Sequence, residues 1–240
     1  MLLSVPDLVR KAVAEAVGTG FLVATVIGSG IAAQRLSPGQ TGLQLLENST
    51  ATVGVLVALI LALGAVSGAH LNPVVSLAER LLGRITTVTA ATFAGAQIVG
   101  GCIGAMVANV MFDLDAVNIS THARTGSGVL LGEVVATFGL LLVILGVAAG
   151  KRHELVPFAV AGYIGAAYWF TSSTSFANPA VTVARTLSDT FAGIAPSSAP
   201  AFIAAEVVGA LLAVAFAVHV LNPTPADPAA APAPAERPST

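Results

Sequence analysis

Along most of this chain the hydrophobic positions neither alternate with polar ones nor keep to one helical stripe. The stretch "GVLVALILALGAV" from Gly54 is apolar at nearly every position. A spanning helix needs roughly 20 predominantly apolar residues. Six stretches have this character: Val9 to Ala33, Leu43 to Val66, Thr86 to Phe112, Gly128 to Ala149, Leu155 to Phe170 and Ala199 to Leu221. They predict an all-α membrane protein, a polytopic bundle. A transmembrane barrel is excluded, because barrel strands alternate apolar and polar residues over roughly ten positions.

Composition agrees: 55% of the 240 residues are hydrophobic, only 9% are charged, and mean hydropathy is +0.88. A water-soluble surface cannot be assembled from so few charges. The first apolar run contains Gly18, Thr19 and Gly20 and is followed by no small-residue cleavage site, so it reads as a retained span. Short loops place Arg10, Lys11, Arg80, Arg84, Lys151, Arg152 and Arg237 on one side, leaving Arg35, Arg124 and Arg185 on the other. The positive-inside rule then puts both termini in the cytoplasm, with the chain in the plasma membrane. No basic run points to nucleic acid, and the single cysteine, Cys102, excludes an internal disulfide. Residues 222–240, "NPTPADPAAAPAPAERPST" from Asn222, are rich in Pro and Ala and are predicted to be a disordered cytoplasmic tail.

The two halves of the chain repeat each other. "AEAVGTGFLVATVIGSG" from Ala14 resembles "GEVVATFGLLLVILGVA" from Gly132, each with a glutamate four residues before a threonine. "AQIVGGCIGA" around Gln97 matches "AEVVGALLAV" around Glu206, and "HLNPVV" around Asn72 matches "FANPAV" around Asn178. The repeats cover about 7–112 and 128–221, within one channel domain over residues 1–221. Three spans per half force opposite membrane orientations, an inverted repeat.

Each Asn-Pro pair precedes an apolar segment too short to span: "VVSLAERLLG" from Val74 and "AVTVARTL" from Ala180. At ~1.5 Å per residue these cover about half a bilayer. Asparagine is a favoured N-cap, and proline suits the first helical position. Non-helical backbone at membrane depth is tolerated only where protein buries it or where it lines a watery cavity. The pattern therefore predicts a passage in which Asn72, Pro73, Val74 and Asn178, Pro179, Ala180 form the centre. Two half-helix N-termini, each equivalent to roughly +0.5 elementary charge, together with asparagine amides, favour a neutral solute with oxygen lone pairs.

The paired Asn-Pro elements, with "SGAH" before the first, resemble the major intrinsic protein family, the aquaporins and aquaglyceroporins. That resemblance implies an aquaporin-like inverted repeat of six transmembrane helices plus two re-entrant half-helices, one pore per subunit, a homotetramer in the lipid bilayer, and no cofactor. It also implies that Glu15 and Glu133 accept hydrogen bonds from the re-entrant loops. His70 reads as a brace for the first loop; no companion has metal-ligand spacing nearby.

Water-selective members carry arginine three residues after the second asparagine, where this chain has Val181. By the family's spacing the selectivity filter falls on Thr52, Ala166, Ser175 and Val181, which leaves it without arginine, histidine or an aromatic. The filter is expected to be wider and less cationic than in a water channel. Val74 replaces the usual alanine and is expected to narrow or dry the centre. "TSSTSFANPAVTVAR" with "SGAHLNPVV" looks like a bacterial branch associated with arsenic resistance, whose members pass arsenite and related metalloid acids. Arg185 is either an outer-vestibule residue or the partner of Asp189, with pairing slightly favoured, and Glu79 and Arg80 are expected to cap the cytoplasmic end of the first half-helix.

The function expected is a passive channel for small neutral solutes such as water, glycerol or arsenite. A secondary transporter would share the inverted repeat, but no Asp, Glu or Lys is expected along the pore. An enzyme is disfavoured, since no paired carboxylates, nucleophile with base, or metal cluster stands among the spans.

Overall fold

The computed structural model describes residues 6–221, and these are all helix, turn or loop. The expectations for residues 222–240 and for Arg237 lie outside the described residues. The helices are α1 (Asp7–Leu36), α2 (Thr41–Ser67), α3 (Pro73–Leu81), α4 (Thr87–Met111), α5 (Ser127–Ala149), α6 (Val156–Phe170), α7 (Pro179–Ala184) and α8 (Ala199–Phe216). A single π-helical turn, Ala217–Leu221, extends α8.

Five helices, α1, α2, α4, α5 and α8 with its extension, are long and apolar enough to cross a membrane. Helix α6 has 15 residues, about 22 Å at the usual rise per residue. Its start is fixed by Pro157 in the first turn and by the 3₁₀ turn His153–Leu155 in front of it. The chain is a multi-pass helical bundle. Its outward faces carry Val17, Phe21, Leu61, Val99, Ile103 and Leu211, while Glu15, Gln97, Glu133 and Glu206 are fully buried. Polar groups lie inside and apolar side chains outside, as lipid solvation demands.

The order long, long, short, long occurs twice, and the packing repeats with it. Helix α1 packs on α4 as α5 packs on α8, and α3 lies against α4 as α7 lies against α8. The halves join chiefly where α2 meets α6 and where each short helix lies against the last helix of the other half, α7 on α4 and α3 on α8. The close helix pairs rest on glycine at matching positions. A Cβ on Gly100 would collide with the Ala16 carbonyl, and one on Gly209 would come within 2.5 Å of the Val134 carbonyl. Backbone against backbone is how membrane helices gain contact without a hydrophobic drive.

Gly100→Ala and Gly209→Ala should therefore each cost about 1–3 kcal/mol, the usual price of overpacking a tight contact. Gly95, with open space around its Cα, is the control. Denaturation in mixed micelles should show both losses and an unchanged Gly95→Ala; equal stability of all three variants would contradict the packing.

Candidate functional site

Both short helices begin on an asparagine N-cap with proline in the first turn. Asn72 Oδ1 accepts from the Val74 N–H at 3.0 Å, and Asn178 Oδ1 accepts from the Ala180 and Val181 N–H groups at 3.1 and 3.3 Å. The amide nitrogens then cross between the halves. Asn72 Nδ2 donates to the Ala177 carbonyl at 2.7 Å, and Asn178 Nδ2 donates to the Leu71 carbonyl at 2.9 Å. An asparagine amide has two N–H bonds. One locks the opposite loop and the other has no protein partner, and both asparagines line the central cavity.

The loops ahead of these caps are strained in the same way. Ala69 and Leu71 have φ of 47° and 49°; their counterparts Ser175 and Ala177 have 53° and 47°. Left-handed backbone outside glycine costs about 1–3 kcal/mol per residue and persists only when its surroundings enforce it. Buried carboxylates enforce it here. Glu15 accepts from the N–H groups of His70 at 3.0 Å and Leu71 at 2.7 Å, and also from Ser67 Oγ and Gln97 Nε2. Glu133 accepts from Phe176 at 2.9 Å and Ala177 at 2.8 Å. Glu206 accepts from the Asn178 N–H at 3.1 Å and from Thr182 Oγ1 at 2.6 Å. The His70 ring bonds Ser76 Oγ through Nδ1 at 2.9 Å, packs edge-on against Phe93, and also lines the cavity.

The cavity, about 570 Å³, reaches from Thr52, Tyr168 and Arg185 past the asparagine pair to Glu79, Arg84 and His153. Much of its wall is apolar, with Leu22, Leu56, Leu140, Val160 and Ile164. At the Arg185 end Thr52 Oγ1 and the Tyr168 hydroxyl are 3.1 Å apart, Ser175 presents a buried Oγ with no protein partner, and Val181 completes the ring.

Five expectations need correction, the first being that no acidic residue stands along the passage: Glu79 lines the cavity. Ala166 is exposed on the outer face of α6; Ile164 and Tyr168, four apart on one helical face, point inward, and residue 166 lies roughly opposite, about 200° round from either. An aromatic therefore does stand at this end of the cavity. Val74 does not narrow the centre, since it is turned into an apolar cluster with Leu141, Ala210 and Ala213, and Val75 lines the cavity instead. Arg185 is not paired with Asp189. Helix α7 tightens into a 3₁₀ turn over Arg185–Leu187 and Ser188 is extended, so the i,i+4 spacing of an α-helix is lost. Lastly, Glu79 pairs with Arg84 at 2.9 Å while Arg80 Nε donates to Thr87, so the two tie α3 to the following loop and to the start of α4 without capping the helix.

Arg185 is buried, with its guanidinium 3.4 Å from the Phe176 ring centroid and its Nε bonded to the Ala192 carbonyl. Arg124 approaches the same ring at 5.1 Å and holds the Gly193 and Phe191 carbonyls. The two arginines thus pin the loop after α7 over the cavity mouth. Asp189 fastens that loop to the one before α5 by accepting from the Thr121 N–H at 2.8 Å, which holds its carboxyl below the usual range. Burial, followed by the nearby Arg124, pushes His122 down. Pro73, Pro179 and Ala180 shape the half-helix starts; Ala180 is fully buried. Among the described residues no group of three His, Cys, Asp or Glu side chains could hold a metal.

Residues missed by sequence reasoning are Tyr168, Phe176, Arg124, Gln97 and Glu206. The last two carried a signal, since they occupy matching places in the repeat.

A bundle of membrane-crossing helices, interrupted by two short asparagine-capped helices that meet at a cavity, has the form of a transmembrane channel. The family profile described as Major intrinsic protein matches residues 2–175, and the chain belongs to that family. It is 49% identical over 219 residues to "Aquaglyceroporin AqpS" of Rhizobium meliloti (strain 1021), covering 90% of this chain and 92% of that protein. It is 31% identical over 196 residues to "Aquaporin NIP2-1" of Oryza sativa subsp. japonica, covering 79% and 64% of the two. The X-ray structure of the aquaglyceroporin from Plasmodium falciparum superposes with a TM-score of 0.67 at 21% identity, over 89% of this chain and 97% of that one, and so shares the fold. The chain is a passive channel for small neutral solutes and not an enzyme.

Removing a loop-bracing carboxylate orphans backbone donors at about 1–3 kcal/mol each. Glu15→Ala loses the acceptor for both His70 and Leu71, whereas Glu15→Gln keeps one carbonyl. Melting temperatures in detergent should fall in the order wild type, Glu15→Gln, Glu15→Ala, with the same order at Glu133. A Glu15→Ala protein as stable as wild type would show that the loop is held by other contacts.

Proposed function

We propose that the natural cargo is a small uncharged polyhydroxyl molecule of glycerol's size, including metalloid acids such as arsenite in its neutral form, with water passing alongside. The observation that carries this reading is the ring at the Arg185 end. Val181 stands where the water-selective pattern would have a cation, beside the hydroxyls of Thr52, Tyr168 and Ser175. Hydroxyls on one side and an apolar wall on the other suit a solute with an oxygen-bearing edge and a carbon or metalloid body. Arg185 stands farther along, held against Phe176, where it repels cations without closing the ring.

In this reading residues 1–221 form one channel unit, with repeats over 7–112 and 128–221. Helix α6 with the turn before it makes the sixth crossing, and α3 and α7 enter from opposite sides to meet at Asn72 and Asn178. Four copies sit together in the plasma membrane with both termini in the cytoplasm. A solute would exchange water for the free N–H of each asparagine midway, and the half-helix N-termini would disfavour cations there.

Stopped-flow light scattering of proteoliposomes with water, glycerol, urea and arsenite tests this reading. Val181→Arg would place a long cationic fork opposite Thr52. Glycerol and arsenite flux should then fall at least about tenfold relative to water flux, equivalent to roughly 1.4 kcal/mol in the barrier. Unchanged solute ratios in well-folded protein would place the constriction elsewhere.

A further inference from the structure

In the first half, Gln97 on α4 reaches the loop-bracing carboxylate. Its Nε2 donates to Glu15 Oε2 at 2.7 Å and lies 3.3 Å from Ser76 Oγ, the hydroxyl four residues past Asn72. The second half has the same layout with an acid in place of the amide. Glu206 stands in the place of Gln97, Glu133 in that of Glu15, and Thr182 is the hydroxyl four residues past Asn178. Glu206 Oε1 is occupied by Thr182 Oγ1 and the Asn178 N–H. Its Oε2 is buried without a hydrogen-bond partner, beside Glu133, and the two carboxyls between them hold the consecutive N–H groups of Phe176, Ala177 and Asn178.

Two ionised carboxylates in that contact would offer only acceptors to each other in a site with no water-exposed surface. Like charges so placed do not both ionise. The other charged group facing Glu206 is Arg185, whose guanidinium is turned to Phe176 and Ala192. Helix α3 faces α8 with the uncharged Val74, Val75 and Ala78.

We propose that Glu206 is a neutral carboxylic acid whose O–H donates to Glu133, as the Gln97 amide donates to Glu15, so that the pair holds one proton and one negative charge. Glu206 is a positioning residue: the proton lets one carboxyl bind Glu133 through one oxygen and fix Asn178 and Thr182 through the other. The proton's presence does not depend on which solute the channel carries, so it can fail or stand independently of the proposed cargo.

Infrared spectra of the protein in lipid at neutral pH read the proton directly. A protonated-carboxyl C=O stretch that shifts in heavy water is expected in the wild type, absent from Glu206→Gln and retained in Glu15→Gln. Gln97→Glu builds the same pair in the first half and should add a second such band. As pH is raised and the shared proton is lost, the melting temperature of the wild type should fall while that of Glu206→Gln, with its permanent N–H donor, holds. No such band in the wild type, a band that survives Glu206→Gln, or the same alkaline loss of stability in both proteins would overturn the proposal.

Discussion

Two stretches of this chain, just ahead of Asn72 and Asn178, leave helical hydrogen bonding in the interior of a bundle solvated by lipid. Every backbone N–H freed there must find an acceptor inside the protein. Glu15, Glu133 and Glu206, with the hydroxyls of Ser67 and Ser173, supply those acceptors. Their fixed positions hold Ala69, Leu71, Ser175 and Ala177 in left-handed conformations, and those conformations in turn present the Leu71 and Ala177 carbonyls to the opposite asparagine. The pore centre is therefore a consequence of carboxylate placement on helices α1, α5 and α8, and the close glycine contacts of those helices keep the placement rigid.

The reciprocal bonds from Asn72 to Ala177 and from Asn178 to Leu71 join the two halves at the wall of the central cavity. Each asparagine divides its groups among three tasks: Oδ1 caps its own helix, one N–H locks the other loop, and the second N–H faces the cavity. A single residue type thus sets the helix start, closes the junction and supplies a donor. Aspartate can perform only the first of these, because an ionised carboxylate has no N–H.

The helical spans, the repeat and the asparagine pair were legible in the sequence because each leaves a pattern: long apolar runs, and a motif recurring in the same order. The roles of Glu15 and Glu133 came from resemblance. The ring at the Arg185 end was legible only in part. Counting along the family's spacing reached Thr52, Ser175 and Val181 but failed at Ala166, where a two-residue error on a helix turns the side chain to the opposite face. It also gave Arg185 a partner in Asp189 that an α-helix would have allowed and a 3₁₀ turn does not. Tyr168 and Phe176 left no signal, since an aromatic among apolar neighbours reads as packing. Glu206 was visible as the match of Gln97, yet its meaning depends on an orphaned oxygen that only coordinates reveal.

The central claim is that solute passes between the asparagines and through the ring containing Val181, with Val74 and Ala166 off the path. Cysteine placed one site at a time in a Cys102→Ser background tests it directly, with glycerol flux into proteoliposomes measured before and after a small thiol-specific reagent. Flux through the Val181→Cys channel should be blocked, and flux through the Val74→Cys and Ala166→Cys channels should persist. Block at Ala166→Cys, or an unaffected Val181→Cys channel whose thiol is shown by mass to be modified, would contradict the account.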